Sequence, residues 1–274
     1  MNQHVSVVLL TGGSSGIGAE AARMLADAGY KVYAGSRRGT LPQDCAGRDN
    51  LFPVVLDVNS QESVSAVVAE ILNKEGRIDA VVCNAGNGIA GAVEQTSVDE
   101  AKYQFETCFF GAHRVIREVL PAMRAQKFGH IITISSVAAT VPIPYQTFYS
   151  SAKAAVLIYT KALSLEVKGF GIQCCSILPG DTKTGFTAAR KVTKDSEDTS
   201  SVYYETFKKS VGRMEHDEQN GMPARKIAGA IVKQLGRRRM SPTCTPRIDY
   251  KAINFLVRIL PTRWMLWIVG KLYA

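Results

Sequence analysis

Ser136, Tyr149 and Lys153 are spaced so that together they can move a proton. Tyr149 and Lys153 lie four apart and share one face of a helix, while Ser136 stands at the end of the apolar run Ile131 to Ile134, thirteen residues before Tyr149. A phenol, a cation and a hydroxyl then converge. A nearby ammonium stabilises phenolate and brings a group with an ordinary pKa of about 10 towards neutral pH, which suits proton exchange with a substrate oxygen. A second chemical element precedes them in the chain. Thr11-Gly12-Gly13-Ser14-Ser15-Gly16-Ile17-Gly18 follows the apolar run Val5 to Leu10 and leads into Ile17 to Ala28, where apolar residues at 17, 21, 25 and 28 fit a helix. Glycines permit the tight turn and let backbone N–H groups approach a pyrophosphate, whose charge a helix N-terminus favours; Gly12, Gly16 and Gly18 take that role. Singly, each feature also has a plain structural reading. A glycine turn joins any strand to a helix, Tyr149 can serve as a core aromatic and Lys153 as a solvated helix residue.

The surrounding pattern supplies the elements that would position them. Val5–Leu10, Lys31–Ala34, Phe52–Leu56, Ala80–Cys83, His130–Ile134 and Ile172–Ile177 read as strands alternating with helical stretches. This is the α/β pattern of a Rossmann-type doubly wound parallel sheet with helices on both faces. A helix is expected from Val98 to Gln126, opened by Ser97 and Glu100 at capping-box spacing and containing Pro121. With 274 residues, 46% of them hydrophobic, and no long linker, the chain reads as one domain, 1–249, followed by an apolar basic tail, 250–274.

Composition removes several alternatives. The six cysteines have no paired metal spacing, and the four histidines, at 4, 113, 130 and 216, are too scattered for a metal site or a histidine-based triad. The opening residues read as a sheet strand rather than a cleavable secretory segment, so a cytoplasmic setting is expected. A net charge of +9 comes without any nucleic-acid-binding motif, and no nucleic-acid partner is expected.

In the order and spacing of its motifs the chain resembles the short-chain dehydrogenase/reductase family, in the shorter-chain branch, from about Val5 to Leu235. The motifs are the glycine turn, Asn84-Ala85-Gly86 after a strand, Ser136, Tyr149 with Lys153, and Pro179-Gly180 followed by Thr182 and Thr184. The resemblance implies that Tyr149 exchanges a proton with the substrate oxygen, that Ser136 hydrogen-bonds that oxygen, and that Lys153 holds the nicotinamide ribose and lowers the Tyr149 pKa. The implied cofactor contacts are Gly12, Ser14, Ser15, Gly16, Ile17, Gly18, Asn84, Ala85, Gly86, Tyr149, Lys153, Pro179, Gly180, Thr182 and Thr184. Asp57-Val58 resembles the position that contacts adenine. Cofactor choice is read after the second strand, where an acid would bind the adenosine ribose hydroxyls and a cation would bind a 2′-phosphate. Here stand Ser36, Arg37 and Arg38, without an acid, and NADP(H) is expected over NAD(H). The long central helix commonly carries an asparagine that supports a water relay to the lysine; this chain has Cys108, a weaker hydrogen-bonding group.

Val137, Tyr145 and Phe148, with Ser136 and Tyr149, are expected to form an apolar substrate wall, and the charged, serine-rich stretch from about Lys183 to Asn220 reads as mobile rather than core. The tail carries Trp264, Trp267 and many aliphatic residues among cations. Interrupted by Arg258 and Pro261, its longest apolar run falls far short of the roughly 20 residues needed to span a bilayer, and it suits a lipid surface, a pocket lid or a subunit contact. Pro144-Tyr145-Gln146 and the tail look most like the 17β-hydroxysteroid and retinol dehydrogenase branch. The resemblance therefore implies an NADP(H)-dependent oxidoreductase interconverting a secondary alcohol and a ketone on a bulky lipophilic substrate, a hydroxysteroid or bile acid, as a homodimer or homotetramer. A 3-oxoacyl-thioester reductase, a retinoid dehydrogenase and an NADP(H)-sensing regulator are the competing readings.

Overall fold

The computed structural model describes residues 6–45 and 47–273, so Val5 and His4 lie outside the described residues. Seven parallel strands form the central sheet: β1 (Val7–Thr11), β2 (Lys31–Ser36), β3 (Leu51–Val55), β4 (Ala80–Cys83), β5 (Gly129–Ile134), β6 (Ile172–Ile177) and β7 (Thr243–Cys244). Their spatial order is β7-β6-β5-β4-β1-β2-β3, the doubly wound arrangement that reverses direction between β1 and β4. The inner strands read as unbroken apolar runs because both faces are covered; Val8, Leu9 and Leu10 have no exposed surface. One face packs on α2 (Gln61–Glu75), α4 (Gly111–Gln126) and α5 (Thr147–Glu166), through Val64, Ile71, Val115, Ile116 and Leu163. The other packs on α1 (Gly16–Asp27) and α8 (Ala224–Leu235), through Ala21, Leu25, Ile227 and Ile231. Each face thus has its own core.

Three elements differ from the sequence expectation. The helix from Val98 to Gln126 is divided into α3 (Val98–Phe105), a π turn at Glu106–Phe110 and α4. Its capping box is present, with Ser97 Oγ accepting from Glu100 N at 3.2 Å and Glu100 accepting from Ser97 N at 2.9 Å. β7 has no sequence signal because it is two residues long and follows Pro242. It is fixed by its neighbours, with Leu178 N donating to Cys244 O at 2.8 Å. The stretch expected to be mobile forms a packed cap instead, containing α6 (Phe186–Ala189) and α7 (Tyr204–Gln219) around Phe207, Val211 and Met214. Its hydroxyl-rich composition reads as solvated, yet Thr193 and Ser196 are buried and satisfy each other at 2.7 Å. Beyond β7 come α9 (Ile248–Ile259), which begins two residues before the expected boundary of the tail, and α10 (Thr262–Tyr273).

Candidate active site

The turn after β1 is shaped by what cannot fit there. Gly12 and Gly16 have φ of +70° and +53°, and a Cβ on Gly18 would sit 2.0 Å from the Gly12 carbonyl oxygen. Asn84, at the end of β4, clamps this turn: its Nδ2 donates to Thr11 O at 3.0 Å and to Gly12 O at 3.1 Å, while Thr11 Oγ1 accepts from Asn84 N and Ala85 N. Asn84 and Ala85 therefore hold the glycine turn through contacts that the sequence did not disclose. Ser15 is the N-cap of α1 but caps with no side-chain bond, leaving first-turn N–H groups for an acceptor from outside. Ser14 and Ile17 stand within the same turn, and Thr184 lies across it, 3.3 Å from where a Cβ on Gly16 would be. A narrow, donor-rich cradle at the switch point fits a dinucleotide pyrophosphate.

At the end of β2 the Ser36 hydroxyl is buried and accepts from Gly39 N at 3.1 Å, while Arg37 and Arg38 are exposed. Asp57 follows β3, with Oδ1 accepting from Asn59 N at 3.0 Å. Val58 follows it with a buried side chain, packed where a Cβ on Gly111 would meet it at 2.7 Å.

Ser136 follows β5 and opens a short helical turn, its Oγ accepting from Ala138 N at 3.1 Å. Val137 N donates to Pro179 O at 2.8 Å, which draws Pro179-Gly180 to the same end of the sheet. On α5, Lys153 is buried, and its Nζ donates to Ile134 O at 2.9 Å and stands 5.7 Å from the centroid of the Tyr149 ring. Gly86 leaves room beside that ammonium: a Cβ there would be 3.5 Å from both Lys153 Nζ and Cys108 Sγ. The structure thus brings Ser136, Tyr149 and Lys153 together. Burial pushes the Tyr149 pKa up, and the Ser136 hydroxyl, donating to the phenol oxygen, counteracts this in part. The Lys153 ammonium is turned to a backbone carbonyl, that of Ile134. Tyr149 holds its proton at neutral pH, the state required of a donor to a carbonyl oxygen.

Cys108 sits in the π turn with amides on either side. Gln104 Nε2 donates to Cys108 Sγ at 3.1 Å, and the thiol lies 3.5 Å from Asn87 O and 3.4 Å from Asn87 Oδ1. Gln104 is fully buried, donates to Asn87 O and Oδ1 at 3.0 Å each, and accepts from Ile89 N at 2.8 Å. The amide chemistry missing at position 108 is present one turn earlier, in Gln104, whose i−4 spacing was the only sequence signal.

On the substrate side Val137 is buried and Phe148 partly so, next to Tyr149. Tyr145, at φ of +60°, packs against the cap, stacking edge-on against Phe207 at 5.6 Å and bonding Thr206. Phe186 from α6 takes the place beside the reacting phenol, its centroid 5.5 Å from that of Tyr149. Behind it, the Arg190 side chain is 2% exposed, pairs with Glu218 and reaches the Gln146 amide at 3.0 Å, while its Nη1 is buried without a partner. Neither Phe186 nor Arg190 was legible, since both lie in the stretch read as mobile. Thr182 Oγ1 donates to Gly180 O at 2.8 Å, and the Tyr250 ring covers Gly180, 2.2 Å from where a Cβ would stand.

Residues 6–195 match the family model for short chain dehydrogenase. The chain belongs to the short-chain dehydrogenase family. As a short-chain dehydrogenase it is an oxidoreductase acting on CH–OH groups. It is 40% identical over 235 residues to 3-ketodihydrosphingosine reductase of Bacteroides thetaiotaomicron, covering 85% of this chain and 84% of that protein. It is also 32% identical over 272 residues to retinol dehydrogenase 8 of Bos taurus, covering 90% and 85%. Among solved structures, a short-chain dehydrogenase from Streptomyces avermitilis superposes with a TM-score of 0.81 at 29% identity, covering 97% of this chain and all of that one. These likenesses extend well past residue 195, so the cap and its Phe186 and Arg190 belong to the dehydrogenase proper.

Proposed function

We propose that this dehydrogenase is an NADP(H)-dependent enzyme interconverting a ketone and a secondary alcohol on a lipophilic amphiphile. The observation that carries this reading is the convergence of Tyr149, Ser136 and the buried Lys153, with the Phe186 ring set against that of Tyr149. The glycine turn, Thr184 and the free N–H groups of α1 would hold the dinucleotide, and Arg37 with Arg38 would pair with a 2′-phosphate where an acid would repel it. The nicotinamide, when bound, supplies or accepts the hydride. Tyr149 gives its proton to the nascent alkoxide, Ser136 holds the carbonyl oxygen, and Lys153 orients the ribose.

Two substrate classes compete within this reading. Likeness to a 3-ketodihydrosphingosine reductase supports a long-chain 3-keto amphiphile. Likeness to retinol dehydrogenase 8 supports a retinoid or, as the sequence motifs imply, a hydroxysteroid or bile acid. The exposed Phe110 in the π turn and Ile158 and Leu165 along α5 support assembly into a homodimer or homotetramer. A screen of 3-ketodihydrosphingosine, ketosteroids, keto-bile acids, retinal and acetoacetyl thioesters with NADPH and NADH tests class and cofactor together. Turnover of the long-chain ketone with NADPH is the expected result. Cofactor binding without reduction of any substrate would overturn the enzyme reading.

A further inference from the structure

We propose that α9 and α10, with the basic cleft between α8 and α9, seat the protein on a bilayer surface containing anionic phospholipids. No residue of α9 is buried, and α10 buries only Val269. Phe255, Leu256, Ile259, Trp264, Leu266 and Trp267 stand exposed, the two tryptophans at 64% and 65%. Such apolar area is costly to leave in water and calls for a cover.

Charge decides what that cover is. A cleft of about 570 Å³ is lined by Lys226, Lys233, Arg237, Lys251 and Arg258, with no carboxylate among its lining residues. Lys251, Phe255 and Arg258 share one face of α9, so the cations and an exposed aromatic ring meet at the same place. Across residues 248–273 there are four cations and one acid, Asp249, which pairs with Arg247 at 2.8 Å. A second copy docking here by two-fold symmetry would bring two such clefts together, cation against cation, on chains of net charge +9. Phosphate headgroups would neutralise them. Neither helix is long or apolar enough to cross a membrane; at twelve residues each spans about 18 Å, and tryptophans with cations suit the headgroup level.

The surface is fixed to the catalytic end of the molecule. Tyr250 donates to Asp181 Oδ2, Thr140 bonds Asn254 at 2.5 Å, and Tyr273 packs on the cap core beside Tyr145. A seated enzyme would therefore hold the loop after Ser136 and the cap at a constant distance from the lipid.

The test is read without turnover and does not rest on the substrate assignment. Trp264 and Trp267 are the only tryptophans in the chain, so intrinsic emission reports α10 alone. Full-length protein is mixed with vesicles of phosphatidylcholine, or of equal parts phosphatidylcholine and phosphatidylglycerol. Co-sedimentation, a blue-shifted emission and protection from acrylamide are expected with the anionic vesicles only, and are reversed by high salt. Lys233→Glu/Arg237→Glu/Arg258→Glu should weaken vesicle binding by at least ~100-fold while free inorganic phosphate fails to compete. Trp264→Ser/Trp267→Ser should weaken it without altering the secondary structure. Equal binding to neutral vesicles, no binding to either, or salt-independent binding by the unaltered protein would overturn the proposal. So would tryptophans already shielded without lipid, in a species whose mass falls in the Trp264→Ser/Trp267→Ser variant, because a second copy would then be the cover.

Discussion

A methyl group on Gly18 would lie 2.0 Å from a backbone oxygen, whereas one on Gly270 in α10 would meet nothing within 4 Å. The turn after β1 and the C-terminal helices differ in this way throughout. Around the turn, Thr11, Gly12, Asn84 and Ala85 exchange four short hydrogen bonds, and the adjoining strands are buried. Along α9 no residue is buried, and Tyr250 and Asn254 send hydrogen bonds back to the domain. Where internal sterics choose the residues, one atom more or less should break the machine. Where they do not, the sequence answers to something outside the fold, and single changes should be tolerated internally.

The largest effect should come from the constrained side. Tyr149→Phe keeps the ring against Phe186 but removes the transferable proton, so turnover should fall by ~100-fold or more with cofactor affinity preserved. Steady-state rates beside cofactor titration check this, and near-normal turnover would show that another group donates the proton. Gly18→Ala adds a methyl against backbone rather than against a flexible side chain; a loss of about 3 kcal/mol in chemical denaturation is expected.

Acid should probe the same region. His130 lies on β5, 3% exposed, and burial pushes its pKa from 6.5 to about 4 despite nearby Asp79. The folded value lies below the unfolded one, so the unfolded chain binds the extra proton first. Stability should fall as pH drops from 6.5 towards 4, by about 3 kcal/mol, and level off below. His130→Gln should flatten that part of the profile of unfolding free energy against pH. A smaller change is expected at the edge of the cradle. Arg37 is exposed, so Arg37→Ala should weaken NADPH binding by about 10-fold and leave NADH nearly unchanged; an equal loss for both would make Arg37 a structural residue.

The contrast also explains how much the sequence disclosed. Six strands, α1, the capping box at Ser97 and the approach of Ser136, Tyr149 and Lys153 follow from periodicity and from residues that backbone geometry demands. Phe186 and Arg190 did not show, because α6 is a single turn and its stretch is rich in the hydroxyls and charges that ordinarily mark solvent; burial of Thr193, Ser196 and the Arg190–Glu218 pair is a tertiary fact. The raised Tyr149 pKa was equally hidden. Spacing places Lys153 beside the phenol but says nothing of Ile134 O, which takes its proton donor, or of the burial that dominates. The π turn at Cys108 breaks a helix whose apolar pattern continues on both sides of it.

The smallest expected effect lies in the unconstrained region and has the opposite sign. Gly270 is inside α10 with an ordinary helical backbone and open space around its Cα, so alanine there meets no obstacle. Glycine gives the unfolded chain more freedom than alanine does and weakens a helix interior by about 0.5–1 kcal/mol. Gly270→Ala should therefore stabilise α10 by that amount. Urea unfolding followed by tryptophan emission isolates this helix from the rest of the chain, since Trp264 and Trp267 both belong to it. A later midpoint by tryptophan emission, with an unchanged midpoint by far-ultraviolet circular dichroism, would show that α10 unfolds as its own unit, governed by helix propensity alone. A shift to lower urea in both would mean that position 270 is packed against something in solution, and the division between a constrained cradle and an unconstrained tail would fail at that point.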